Sequence, residues 1–172
     1  SRAVIEQVLA DVEGRAAVET ALAAQDILFD LLGLQLGDSF DGPLFVDDGT
    51  DPPVVEEPAG YDVPSTRPGG RLPHAWLDAE TPARTSTLDL VDPAVPTVLV
   101  RDGDPTPALD GPVPVAVATV PDPVWSGVFG LGPGDGLVVR PDQHVAFRGS
   151  ASQVTVALAQ LFPEPASPTV PA

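Results

Sequence analysis

The chain has 172 residues, 43% of them hydrophobic, and a formal charge of −17 from 8 basic and 25 acidic side chains. That length and apolar share suffice for one domain with a core, and the negative field makes nucleic acid and anionic membranes poor partners. There is no Cys, which excludes disulfides, thiol redox chemistry and cysteine-bound metal, and the 22 Pro and 16 Gly foretell short elements and stiff loops.

Residues 1–33 read as a helical lead-in. Val4, Ile5, Val8 and Leu9 share one face; after an interruption at 11–14, Val18, Leu22, Leu28, Leu31 and Leu32 resume helical spacing, and Gly33 suits a helix end. Residues 34–84 read as an extended and looped segment. Leu34, Leu36, Phe40, Leu44 and Phe45 lie on either side of Gly42-Pro43, followed by an acidic, Pro-rich surface loop over 47–58.

From residue 85 the pattern turns to strands. Residues 85–90 alternate moderately, 97–100 form a short apolar run, and 113–120 are the most Val-rich stretch, with Pro114 near its start. Residues 137–140 and 144–148 predict a hairpin across Pro141-Asp142-Gln143. A closing helix over 150–162 places Val154, Leu158 and Leu161 on one side, with Ser150 or Ser152 as its N-cap, and 163–172 read as a frayed tail. The connection over 102–112 is too short and Pro-rich for a full crossover helix. Strand, connection, strand, hairpin and helix together predict an α/β fold, the latter part of a thioredoxin-like mixed sheet with flanking helices, without a redox Cys pair.

The densest motif is Y-D-V-P-S-T-R-P-G-G-R-L-P-H-A-W-L at 61–77. Pro68-Gly69-Gly70 is a turn in which Gly tolerates positive φ. Arg67 and Arg71 flank it, and a guanidinium can satisfy several loop carbonyls at once. His74 and Trp76, two apart, share a face if the segment is extended. Trp76 is expected to plug the core with its indole N–H bonded, and His74 to be a buried, hydrogen-bonded histidine or, less often, a contact to a partner domain. Arg140 and Asp142 predict an ion pair in the hairpin turn.

Together with S-T-L-D-L at 86–90, which contains Asp89, and L-V-V-R-P-D-Q-H-V-A-F-R at 137–148, this motif resembles the C-terminal region of FAD-dependent aromatic-ring hydroxylases of the phenol and chlorophenol monooxygenase group. L-G-L-Q-L-G at 32–37 also fits, whereas Asp38, Ser39 and Phe40 stand where the family carries an aromatic-rich Y-x-Y. The resemblance implies a thioredoxin-like, Cys-free domain that packs on flavin and substrate domains or at subunit contacts, with a homodimer as one form. FAD and NAD(P)H are implied for a full-length enzyme, not for this chain. The family's flavin-binding G-x-G-x-x-G has no counterpart here, so no catalytic or cofactor residue carries over. Arg67, Gly69, Gly70, Arg71, His74, Trp76, Asp89, Arg140 and Asp142 are the candidates for structural or partner-contact roles.

Other readings stay open. A free-standing thioredoxin-like accessory module would look the same. Gly37-Asp38-Ser39-Phe40 is similar to the nucleophile block of the GDS-type esterases, but such a serine needs a base held against it, and Asp142 and His144 are two apart where those enzymes space them by three. The Gly-rich 130–136 stretch leads into a strand, whereas a phosphate-cradling loop must open a helix. Asp47, Asp48 and Asp51 cluster oxygens for a hard cation without EF-hand spacing. No metal site is assigned. No run reaches the ~18 apolar residues of a membrane span, and no signal peptide is visible, so cytoplasmic placement is expected. A chain that starts with Ser is expected to come from a longer polypeptide.

Overall fold

Contiguous apolar runs in three strands let one small sheet bury both of its faces. The computed structural model describes residues 15–20, 36–55, 63–77, 84–109 and 111–163. Strands β1 (Thr97–Arg101), β2 (Ala116–Val120), β3 (Asp135–Val139) and β4 (Val145–Ser150) form a sheet in the order β2-β1-β3-β4. β2 runs parallel to β1, while β3 is antiparallel to both β1 and β4. Helices α1 (Asp122–Gly127) and α2 (Ala151–Leu161) cover opposite faces. This is the mixed four-stranded sheet with flanking helices of the thioredoxin-like arrangement.

Period-2 side-chain alternation sorts the strand residues between two cores. Leu99, Leu137, Val139 and Val145 point toward Trp125 and Phe129, at and just beyond α1. Val98, Val100, Val138 and Ala146 point the other way, onto Val154, Ala157, Leu158 and Leu161 of α2. Because both faces are covered, the strands read as apolar runs rather than as alternating ones.

The expected hairpin and closing helix are present. In the hairpin turn, Arg140 N–H donates to the His144 carbonyl at 2.9 Å and Gln143 N–H to the Arg140 carbonyl at 2.9 Å. Ser150 caps α2: its N–H and Oγ donate to Gln153 Oε1 at 3.2 and 2.8 Å. The β1–β2 crossover holds no helix among its described residues, as its Pro content dictates.

Two expectations are corrected and one element is added. Residues 85–90 do not form a strand; Thr87–Leu90 is a 3₁₀ helix, because Asp89 Oδ2 accepts from Ser86 N–H at 2.7 Å and Ser86 Oγ at 2.8 Å and closes the backbone into a turn. The Val-rich strand begins at Ala116 rather than 113, since Pro114 keeps that end out of the ladder. Helix α1 was not foreseen; Asp122-Pro123 opens it, with the acid at the positive end of the helix dipole. Of the expected lead-in, residues 15–20 are helical; the rest of it, Gly33, residues 56–58 of the acidic loop and the tail beyond 163 lie outside the described residues.

Candidate functional site

The 61–77 motif, described from residue 63, lies across the mouth of the hairpin and is fastened there by backbone. Gly69 N–H donates to the Val145 carbonyl at 2.8 Å, Val145 N–H returns a bond to Gly70 O at 2.9 Å, and Leu72 N–H donates to Gln143 O at 2.8 Å. Arg71 and His144 form the bridge between the two segments. The turn that presents this edge needs Gly69: its φ is +91°, and a Cβ there would sit 2.1 Å from the Phe40 carbonyl oxygen, which is backbone and cannot yield.

Around this edge a second layer, residues 39–50, is tied down by arginines. Arg67 donates from Nε to the Thr50 carbonyl at 2.8 Å and from Nη1 to Ser39 Oγ at 3.0 Å. Arg148 of β4 donates to Asp48 Oδ2 from Nε at 2.7 Å and from Nη2 at 2.5 Å, and also reaches Thr50 Oγ1 at 3.0 Å. Buried Thr66 bonds the Phe129 carbonyl at 2.9 Å and joins the layer to the core beside α1. Burial pushes the Asp48 carboxyl up, but hydrogen bonds from Thr50 and Arg148 outweigh it and hold the group below its ordinary value. Asp142 is likewise raised by burial and brought down further by Arg140 and the His144 N–H.

Instead of several loop carbonyls, Arg67 takes one, that of Thr50, and Arg71 Nη2 donates to a side-chain oxygen, Gln143 Oε1, at 2.9 Å. Arg140 and Asp142 pair at 2.7 Å in the hairpin turn. The expectation for Trp76 is overturned: it is 46% exposed, and the core indole is Trp125, fully buried with its N–H donating to Gly132 O at 2.9 Å. His74 is also exposed rather than buried. The bridge of Trp76 to Ser86 holds this stretch extended, so alternation turns both rings the same way, opposite to Leu77, which packs against the core. The rings meet edge to face at 4.8 Å, and the Arg84 guanidinium lies 5.6 Å from the indole centroid. Asp89 faces this group; the Ser86 N–H and hydroxyl hold its carboxyl below the usual range, with His74 adding to the effect.

Sequence reasoning gave Thr66 and Arg148 no role of their own and read Asp48 only as part of an acidic cluster. A signal existed for Asp48 and Thr50: Asp48-Gly49-Thr50 is an Asx turn, with Thr50 N–H on Asp48 Oδ1 at 3.0 Å. Arg148 lies 100 residues from its partner, and no local pattern joins them.

These elements line a cavity of about 680 Å³ that is open to solvent. Leu36, Val54, Val55, Val63, Leu72 and Leu88 contribute its apolar wall, and Arg67, Arg71, His74, Asp38, Ser39 and Ser65 its polar rim. The Ser39 hydroxyl accepts from Arg67, and no histidine bonds it among the described residues. His144 instead meets the Phe40 ring at 5.1 Å and Asp142.

The sequence profile of the family described as aromatic-ring hydroxylase, C-terminal, matches residues 65–165. That stretch holds the turn, the 3₁₀ helix and the whole sheet. The chain belongs to this family. Phenol 2-monooxygenase of Pseudomonas sp. (strain EST1001) is 37% identical over 79 residues, covering 45% of this chain and 13% of that protein. 2,4-Dichlorophenol 6-monooxygenase of Cupriavidus pinatubonensis (strain JMP 134 / LMG 1197) is 27% identical over 153 residues, 80% of this chain and 26% of the relative. Among solved structures, the flavin-dependent monooxygenase PieE, in complex with FAD and substrate, superposes with a TM-score of 0.69 at 29% identity, covering 94% of this chain and 32% of that one. Aklavinone-11 hydroxylase, in a complex with FAD and aklavinone, gives 0.54 at 26% identity over 76% of this chain and 27% of that one. The chain thus spans about a quarter of the length of the larger curated match, and less of the other.

For a flavin, an aromatic-ring hydroxylase needs a helix N-terminus that can cradle a pyrophosphate. The described residues do not fit one. α1 opens on Asp122, whose carboxylate repels an anion, and the α2 N-terminus is closed by the Ser150–Gln153 cap. The glycine-rich 130–136 turn enters β3, not a helix.

Proposed function

We propose that this chain is the non-catalytic C-terminal domain of an FAD- and NAD(P)H-dependent aromatic hydroxylase, cytoplasmic, and that its layer of residues 36–55 and 63–77 docks on the flavin-bearing part of that enzyme. Hydroxylation itself belongs to the flavin, and the domain contributes packing and closure beside it. The observation that carries the docking role is where apolar surface is left bare. Leu36, Phe40, Leu44, Val54, Val63 and Trp76 are exposed in this layer, whereas the sheet and helices leave Val117, Val128 and Val156 so among the described residues. Contiguous exposed apolar surface marks an interaction face. The fixed turn at Gly69 and the arginine clasps keep that face ordered without a core of its own. The identities of the relatives, named as FAD-bound or phenol-hydroxylating enzymes, support the enzyme class.

The test is Trp76→Ala combined with His74→Ala in the full-length gene product. Both side chains are exposed here, so the melting of the 172-residue chain is expected to stay unchanged. Flavin fluorescence on heating is expected to appear at a lower temperature in the full-length variant than in the parent. Release at the parent's temperature would remove this face from the contact.

A further inference from the structure

The cavity under the 61–77 motif has a charge character opposite to that of the protein around it. Acids outnumber bases 25 to 8 over the chain, yet among the described residues the cavity lining holds Arg67 and Arg71 against one acid, Asp38. We infer that this cavity is a binding site for a small apolar carboxylate, held by Arg71 and Arg67 at the rim with its body against Leu72, Leu88 and Val63.

Several features support this. The volume of about 680 Å³ falls within the roughly 300–1,000 Å³ range of small-molecule sites, which pair apolar walls with a few placed polar groups. A cationic recess in a net-negative surface concentrates an anion where the rest of the molecule repels it. The two guanidiniums are also already oriented. Arg71 is anchored through Nη2 on Gln143 Oε1 at 2.9 Å, which leaves Nε and Nη1 without a partner among the described residues. Arg67 is anchored through Nε on Thr50 O and Nη1 on Ser39 Oγ, leaving Nη2 in the same position. An anchored guanidinium loses little freedom on binding and presents donors in a planar fork that matches a carboxylate. The floor cannot shift easily: Leu72 is 2% exposed and pinned by its N–H to Gln143 O, and Gly70 stands where a Cβ would meet the Arg67 carbonyl at 3.2 Å.

The inference goes beyond the docking role; it shares Leu36, Val54, Val63 and His74 with that face, but all the described lining belongs to this chain, so it is tested on the chain by itself. The experiment therefore uses the 172-residue chain, titrated with naphthalene-2-carboxylate and with its neutral isostere 2-naphthamide, followed by amide chemical shifts. The carboxylate is expected to bind at least about tenfold more tightly than the amide, as one charge-assisted bond worth about 1.4 kcal/mol requires. The shifts should centre on residues 36–39, 63–65 and 70–74. Arg71→Gln should abolish the preference for the anion. Should Arg71→Gln disturb the fold, Val54→Glu decides: Val54 lines the cavity but is 94% exposed, so an added carboxylate repels the anion and leaves the core intact. Equal binding of the two naphthyl compounds, shifts elsewhere on the chain, or an undiminished anion preference in folded Val54→Glu would each overturn the inference.

Discussion

The sheet with its helices and the loop layer in front of it hold together by different physics. In the sheet, Leu99, Leu137, Val138, Val139 and Val145 are fully buried, and the energy is apolar area removed from water. The described residues of the 39–72 layer bury few apolar side chains; Gly69, Arg67, Arg148 and Asp48 fix it by backbone geometry and charge-assisted hydrogen bonds. A fold can thus carry a rigid core and an ordered face whose apolar side chains stay exposed.

Mutations separate the two regimes. The largest effect is expected in the sheet: Trp125→Ala removes the biggest buried side chain and its bond to Gly132 O, at a cost of about 3–5 kcal/mol in urea unfolding, with collapse of the whole domain. Gly69→Ala comes next. Positive φ alone costs about 1–2 kcal/mol for an L-residue, and the clash with the Phe40 carbonyl adds to it. Amide exchange should speed up at Phe40, Gly69 and Val145 while β1 amides stay protected; uniform loss of protection would merge the two regions into one cooperative unit. Arg148→Ala should cost about 1.5–3 kcal/mol, the range for hydrogen bonds to charged groups, and free the layer around Asp48 and Thr50 without unfolding the sheet.

The acid response follows from the same bonds. Asp48, Asp89, Asp104 and Asp142 all have carboxyls held below the ordinary value of 3.8. For Asp104 the cause is the Arg101 side chain first, then the Gly134 N–H. A lowered folded pKa means that the unfolded chain binds more protons, so this stabilisation is complete above 3.8 and is lost as pH falls through the lowered values. Melting temperature is expected to drop below that pH, and Asp48→Asn, less stable at neutral pH, should show a shallower drop. The smallest effect belongs to Arg140→Ala, at roughly 0–1 kcal/mol, because its ion pair with half-exposed Asp142 is screened by water.

The same division decides what the sequence discloses. β1, the hairpin and α2 follow from Val and Leu periodicity and from Ser150, which are local signals. Trp76 and Trp125 cannot be told apart by residue type: the burial of each depends on which face its element turns to the sheet, and α1 is short enough to hide behind Pro121 and Pro123. The Ser86–Asp89 cap was written in the sequence, but its one-turn helix was masked by the alternation of residues 85–90. Of the site, the Gly69 turn and the flanking arginines were legible because their chemistry is local. The Arg148–Asp48 clasp and the cavity were not, since they arise where segments far apart in the chain meet.

The central claim is that this chain serves as the accessory domain of a larger flavin enzyme. Its most direct test is the mass of the native protein in extracts of its source, detected with an antibody to this chain. A flavin-containing band several times heavier than 17.7 kDa is the result expected. A band at 17.7 kDa, with no flavoprotein accompanying it, would contradict the claim.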